Sequence, residues 1–357
     1  MAALGHEVMH VSAPVTPAFL LRWRQPAEQL RLRRWWDGGD DIDGVRNAVP
    51  SAWLTWVLAR ATGNPVAAYG KALTPSLQRL LSGRDFLAPD IVFIDEPRLV
   101  RALDLLGTHC RVIYRATDLY AAIRRDDTIL DAERQLIARS NAFIATSQPV
   151  ADHLLSLGAR RVTVIENGVD FAHFETGHDL DVEALLPQRP RAVYAGAFDH
   201  RFGTSALRAA ALRNTHVSFV LIGPMSGGVR RALHPIPNVH ILGAVAYQDL
   251  PSYLRRCQIA LLPMATGAAN EGRSPMKLFE YAAAGLHVVA SRTSELTRRK
   301  LGFVTLVKDP EEFAEKVAAV AEHRPDSVTN AHNEARHHDW AEKCRLALEI
   351  TSSPSTE

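Results

Sequence analysis

Lys277 and Glu280 stand three positions apart in the stretch SPMKLFEYAAAGLHVVAS, residues 274 to 291. That spacing places both side chains on one face of a helix. An ammonium attracts an anion such as a phosphate, and a carboxylate one turn further on accepts hydrogen bonds from two vicinal hydroxyls such as a ribose presents. Together the pair suggests a nucleoside diphosphate. Ser274 suits an N-cap, Pro275 the first helical position and Gly285 the left-handed turn that stops a helix. Lys277 then falls on the third helical position, where a capping box would place Glu or Gln. A cation there opposes the helix dipole by about 0.3–1 kcal/mol, and an anion bound at the helix N-terminus removes the conflict. The plain alternative is an exposed lysine paired with Glu280, worth about 0.2–0.5 kcal/mol. The anion reading is favoured because the strand-like IALLPM leads directly into the loop ahead of this helix, where ligands of α/β sheets gather.

The elements that must position such a site are written along the whole chain. Short β-branched runs alternate with helical segments, the pattern of parallel sheets covered by helices. HEVMHVSA, DIVFID, RVIYRA, NAFIATS and RVTVIENG are the candidate strands of the first half, and PRLVRALDLLG a helix between two of them. After the acidic, proline-bearing DLDVEALLPQRP the alternation restarts with RAVYAGA, VSFVLIG, NVHILG, IALLPM, LHVVAS and FVTLV. The reading is therefore two Rossmann-like doubly wound α/β domains: residues 1–172, a linker over 173–190, a second domain over 191–330, and a C-terminal helix with a frayed tail over 331–357. A chain of 357 residues exceeds what one core usually supports, which agrees.

Composition narrows the function. Apolar residues at 47% and charged residues at 22% are those of an ordinary globular protein, and no apolar run reaches the length of a membrane span. A net charge of +2 does not point to nucleic acid. Cys110, Cys257 and Cys344 lie too far apart for a disulfide framework or a zinc site, and the histidines show no ligand spacing, so no metal held by protein ligands alone is expected. Neither half carries a G-x-G-x-x-G turn or a Walker lysine loop, which disfavours nicotinamide and ATP chemistry. The opening MAALGHEVMHVSAP lacks a signal-peptide pattern and reads as the middle of an α/β unit.

The pattern S-P-x-K-x-x-E-Y-x-A-x-G-x-x-V-V-A, with NGVD closing the first half and YAGAFDHRFG opening the second, resembles GT-B glycosyltransferases of the bacterial family-4-like kind. The nearer likeness is to the glucuronosyltransferase of xanthan-type exopolysaccharide synthesis, where Y-R-A-S-D corresponds to YRATD and S-S-M-K-L-L-Q to SPMKLFE. The resemblance implies a nucleotide-sugar donor, UDP-linked, held by the second of two domains facing a cleft, and a polyprenyl-linked or oligosaccharide acceptor. Lys277 would hold the diphosphate, Ser274 and Met276 would line the nucleotide pocket, and Glu280 would bind the ribose. Gly196 would admit the donor close to the backbone, or mark a plain turn. Arg201 would be a second phosphate contact, or a solvated arginine. Met264 would touch the base, or fill the core. Asp118 would be the base that takes the acceptor proton, its rival role being an N-cap for LYAAIRR. With lysine and helix dipole serving the leaving group, no metal is required.

The sequence departs from that pattern in two places. Family-4-like enzymes space two glutamates eight positions apart, whereas Glu271 and Glu280 are nine apart, so Glu271 takes no assigned role. The family also opens with a strand and a glycine-rich loop ahead of GHEV, so the first strand is expected to be missing here, either because the start is placed too late or because part of the acceptor and donor contacts has been lost. Two other readings therefore stay open, a nucleotide-sugar 2-epimerase and an inactive donor-binding remnant. The segment FLLRWRQPAEQLRLRRWW, residues 19 to 36, interleaves Trp23, Trp35 and Trp36 with Arg22, Arg24, Arg31, Arg33 and Arg34. Such a mixture suits an anionic membrane surface, or a helix packed on its own sheet with a solvated arginine face. The expected location is cytoplasmic, with peripheral contact at the inner face of the plasma membrane.

Overall fold

The computed structural model describes residues 1–21, 26–323 and 328–352. The chain divides into two compact units, the first comprising Met1–Ala145, Val150–Val164 and Leu346–Glu357, the second Thr146–Pro149 and Ile165–Arg345. Every strand expected from the sequence forms.

In the first unit, β4 (Ile91–Ile94), β5 (Arg111–Ala116), β6 (Ala142–Ala145) and β7 (Thr163–Val164) make a parallel sheet in chain order. A separate sheet joins β1 (Val8–Val11), β2 (Asp40–Ile42) and β3 (Val45–Ala48) in the order β1-β3-β2, with β1 parallel to β3 and β2 antiparallel to it. The β2–β3 hairpin was not expected from the sequence. Its turn residues Asp43 (φ 52°) and Gly44 (φ 76°) are both left-handed, as a two-residue hairpin turn requires. Leu73 and Leu77 of the helix Pro65–Ser82 pack with Val100, Tyr114 and Leu136 in this unit's core.

The second unit is built on six parallel strands: β8 (Arg191–Ala195), β9 (Ser218–Ile222), β10 (Val239–Gly243), β11 (Ile259–Leu262), β12 (His287–Ser291) and β13 (Val304–Val307). Their order, β10-β9-β8-β11-β12-β13, is that of a doubly wound sheet whose direction of progression reverses between β8 and β11. All of β8 and β11 is buried, which is why AVYA and IALL read as continuous apolar runs. The helices Thr204–Arg213 and Pro310–Glu322 pack together through Ala210, Ala211, Phe313 and Ala314, and the buried Asn214 side chain donates to the Ala314 carbonyl at 2.9 Å.

Two boundaries differ from expectation. Residues 173–190 are not a free linker: Phe174, Val182 and Leu186 are buried in the second unit's core. Residues 331–345 also join the second unit, with Ala331 and Ala335 fully buried and the Trp340 N–H bonded to the Val169 carbonyl. Arg22, Trp23 and Arg24 of the aromatic and basic segment, and residues 353–357 of the tail, lie outside the described residues. Of the rest, Phe19 to Leu21 belong to a 3-10 helix, Pro17–Leu21, and an α-helix runs from Pro26 to Trp36.

Candidate functional site

The carboxyl edge of the second sheet is shaped by glycine. Strands β8, β9 and β10 end at or run into Gly196, Gly223 and Gly243, and the Gly223 N–H donates to the Gly243 carbonyl at 2.7 Å. A Cβ on Gly223 would sit 2.1 Å from the carbonyl oxygen of Gly196, so the two turns approach closely only because Gly223 carries no side chain. At Gly196 (φ 152°) a Cβ would lie 2.2 Å from Cε and 2.6 Å from Nζ of Lys277. The lysine thus lies directly against the turn after β8.

How the lysine gets there corrects the sequence reading of its helix. Helix residues run from Lys277 to Ala283, with Met276 at the N-cap and no side-chain capping bond. Pro275 and Met276 carbonyls accept the first backbone bonds, from Leu278 at 3.2 Å and Phe279 at 3.0 Å. Ser274 does not cap, because its hydroxyl is committed elsewhere: it accepts from the Asn167 N–H at 3.2 Å and from the Arg299 guanidinium at 2.8 Å. Lys277 is therefore the first helical residue rather than the third, nearer still to the positive end of the dipole. One turn on, the fully buried Tyr281 hydroxyl accepts from the Ala195 N–H at 2.9 Å and ties this helix to the end of β8.

A cavity of about 240 Å³ opens at this edge, walled by Gly196, Gly223, Val245, Tyr247, Lys277 and Glu280 among others. Burial lowers the Lys277 pKa; Glu280 opposes that, while Arg273 and Arg201 add to it. Burial raises the Glu280 pKa, with Lys277 and His173 pulling the other way. The ammonium also stands 5.9 Å from the centre of the Tyr194 ring. On the far wall the Tyr247 ring stacks on His173 at 4.7 Å and 20°, and its hydroxyl is pushed up to about 12 by burial first and then by Glu280 and Asp170. A cation, a carboxylate and a rigid aromatic wall thus share one hollow, which can take a phosphate, a diol and a flat ring respectively.

The remaining predicted residues fall elsewhere. Arg201 is gripped by Asp199, with contacts from 2.8 to 3.3 Å, close enough to Lys277 for its charge to be felt but not among the cavity walls. Met264 does not face a base: it is buried in the core, its N–H bonded to the Ser291 hydroxyl at 2.9 Å. Ser274, 5% exposed, and Met276, 46% exposed, do not line the cavity. Glu271 accepts from the N–H and hydroxyl of Ser294 at 2.8 and 2.6 Å, holding the start of the helix Ser294–Arg299. In the first unit, Asp118 is half-buried in the loop between β5 and the helix Tyr120–Arg124, whose N-cap residue is Leu119 without a side-chain capping bond. Sequence reasoning missed Gly223, Tyr247 and Arg273. The signal for Gly223 was present, since VYAG, VLIG and HILG each end a strand in glycine.

Comparison with known proteins agrees with this architecture. Residues 2–173 match the family model described as Glycosyltransferase Family 4, and residues 189–323 the one described as Glycosyl transferases group 1. A Bacillus subtilis (strain 168) protein bearing the name teichuronic acid biosynthesis glycosyltransferase TuaH is 27% identical over 213 residues, 54% of this chain and 53% of that protein. The chain therefore spans about half the length of the curated relative it matches. Among solved structures, HepE of Anabaena in complex with UDP and glucose superposes with a TM-score of 0.70 at 16% identity, covering 97% of this chain and 99% of that one. Sucrose-phosphate synthase of Thermosynechococcus elongatus gives 0.72 at 14% identity, covering 98% and 90%.

Proposed function

Taking as premise that this chain is a family-4-like protein of the GT-B glycosyltransferase fold, we propose that it moves a sugar from a UDP-linked donor to a lipid-linked or oligosaccharide acceptor in cell-surface glycan synthesis. The observation that carries the reading is the Lys277 ammonium, held against the Gly196 turn beside Glu280 at the carboxyl edge of a doubly wound sheet. In this reading Lys277 binds the donor diphosphate and stabilises it as it leaves, which serves the leaving group without calling for a metal. Glu280 accepts hydrogen bonds from the ribose hydroxyls, and the base lies between Val245 and Tyr247. Arg201, oriented by Asp199, supplies a second positive charge near the diphosphate.

Asp118 is the proposed base for the acceptor hydroxyl, which suits an inverting displacement. The resemblance of YRATD supports that role. The name of the Bacillus relative supports an acceptor in cell-surface polysaccharide synthesis, and glucuronate is the first donor sugar to try. Peripheral contact with an anionic membrane would bring a polyprenyl-linked acceptor within reach.

The test is to incubate the purified protein with a panel of UDP-sugars, with and without prenyl-linked or oligosaccharide acceptors. The proposal expects acceptor-dependent release of UDP, lost in Asp118→Asn. Conversion of a UDP-sugar with no acceptor present would instead assign the chain to the epimerases, and UDP binding without any turnover would leave a donor-binding protein.

A further inference from the structure

One wall of the donor cavity is held by a residue outside it. Tyr247 lines the cavity but heads a 3-10 helix of only three residues, Tyr247–Asp249, and is 56% exposed. An element that short does little to fix a ring. The hold comes from His173, on the helix Phe171–Thr176. Its imidazole stacks on the Tyr247 ring at 4.7 Å and 20°, and its Nε2–H donates to the Tyr247 main-chain carbonyl at 3.1 Å. A carbonyl only accepts, so the proton stands on Nε2. One side chain thus grips both the ring and the backbone of the same residue.

His173 is itself well seated. Its backbone N–H donates to the Asp170 carboxylate at 3.1 Å, capping its helix. The fully buried Phe174 meets the imidazole at 5.0 Å and 80° and the Tyr247 ring at 5.6 Å and 80°. The helix Phe171–Thr176 also packs against the Lys277–Ala283 helix. The second unit's core therefore reaches Tyr247 through His173. His173 is not among the cavity walls, whereas Tyr247, Val245 and Leu250 are. A ring already ordered costs a ligand less to bind than one that must be immobilised on contact. A ligand without a base gains nothing from that order. His173 also stands close enough to Glu280 for its charge to act on that carboxylate, which gives a second route from the imidazole to the site.

We propose that His173 is a positioning residue for the nucleoside half of the donor, acting through Tyr247, and so sets how far the site favours a nucleoside diphosphate over bare pyrophosphate. This rests on reading the hollow as a nucleotide-sugar site; the coupling of His173 to Tyr247 does not. The test is titration calorimetry of the full-length chain with UDP and with pyrophosphate, on the wild type, His173→Ala, His173→Phe, His173→Gln, Tyr247→Ala and the double alanine variant. Denaturant midpoints are taken on the same samples. The Kd for UDP should rise about tenfold in His173→Ala while that for pyrophosphate stays unchanged. His173→Phe keeps the stack and His173→Gln keeps a donor, so each should fall between His173→Ala and the wild type. With Tyr247 already replaced by alanine, removing the imidazole should cost no further UDP affinity. UDP affinity indifferent to His173→Ala, equal losses for UDP and pyrophosphate, conservative variants no better than alanine, or a further loss in the double variant, the mark of the Glu280 route, would each overturn the proposal. A wild type that binds neither ligand would sink the donor reading instead. The midpoints then decide the coupling alone: the double variant should lose less than the two single losses added, and strictly additive losses would overturn it.

Discussion

At the scale of single residues, Lys277 is a cation kept where the unliganded fold disfavours its charge. Burial lowers its pKa from the ordinary lysine value of 10.5, and Glu280 only partly opposes that. A basic group with a folded pKa below its unfolded one weakens the fold while it is charged, below the folded pKa, and ceases to do so above the unfolded value. A bound diphosphate reverses the sign by favouring the ammonium. UDP affinity should therefore decline on the alkaline side, beginning below pH 10.5, and calorimetric titrations across that range would show it. Lys277→Met should raise the stability of the ligand-free protein by about 0.5–2 kcal/mol while abolishing the thermal shift that UDP produces. A variant that melts lower, or still shifts with UDP, would contradict the assignment. Gly196→Ala makes the complementary change. Its methyl needs the space of Lys277 Cε and Nζ, so the flexible lysine end must swing away, and UDP affinity should fall with the lysine itself intact.

At the scale of elements, the Lys277 helix depends on Tyr281 for its place. Tyr281→Phe leaves the buried Ala195 N–H without its 2.9 Å partner, which costs about 1–3 kcal/mol. The denaturant midpoint should drop at constant m-value, and UDP should bind more weakly because the lysine end of the helix loosens from β8. The elements were largely legible beforehand, since a buried parallel strand writes itself as an unbroken run such as IALL or VSFVLI. The start of this helix was not. Ser274 and Pro275 have the right types for a cap and a first turn, but the Arg299 guanidinium and the Asn167 backbone N–H claim the serine hydroxyl from 25 and 107 positions away. No local pattern announces such partners. The β2–β3 hairpin was legible and overlooked: DIDGV carries the Asp-Gly pair that favours a two-residue turn.

At the scale of the whole molecule, sequence alternation was enough to indicate two α/β units, whereas the nucleotide-sugar donor was suggested by the Lys277 and Glu280 pair and the resemblance around it. The unit boundary was misjudged because an acidic, proline-bearing stretch was taken for a linker, whereas Phe174, Val182 and Leu186 give it three anchors in the second core. Met264 was misplaced for a related reason, since a methionine ending a strand reads alike whether it faces a ligand or the interior. Tyr247 escaped notice because its role depends on a histidine 74 positions earlier, with which it stacks. Among the described residues no helix is long and apolar enough to cross a membrane.

The account stands on the diphosphate being held by Lys277, and titration calorimetry of UDP and uridine against the wild type and Lys277→Ala tests it most directly. It predicts that UDP affinity falls at least about tenfold in the variant while uridine, which lacks the phosphates, binds both proteins alike. Equal UDP affinity in the two proteins would contradict it.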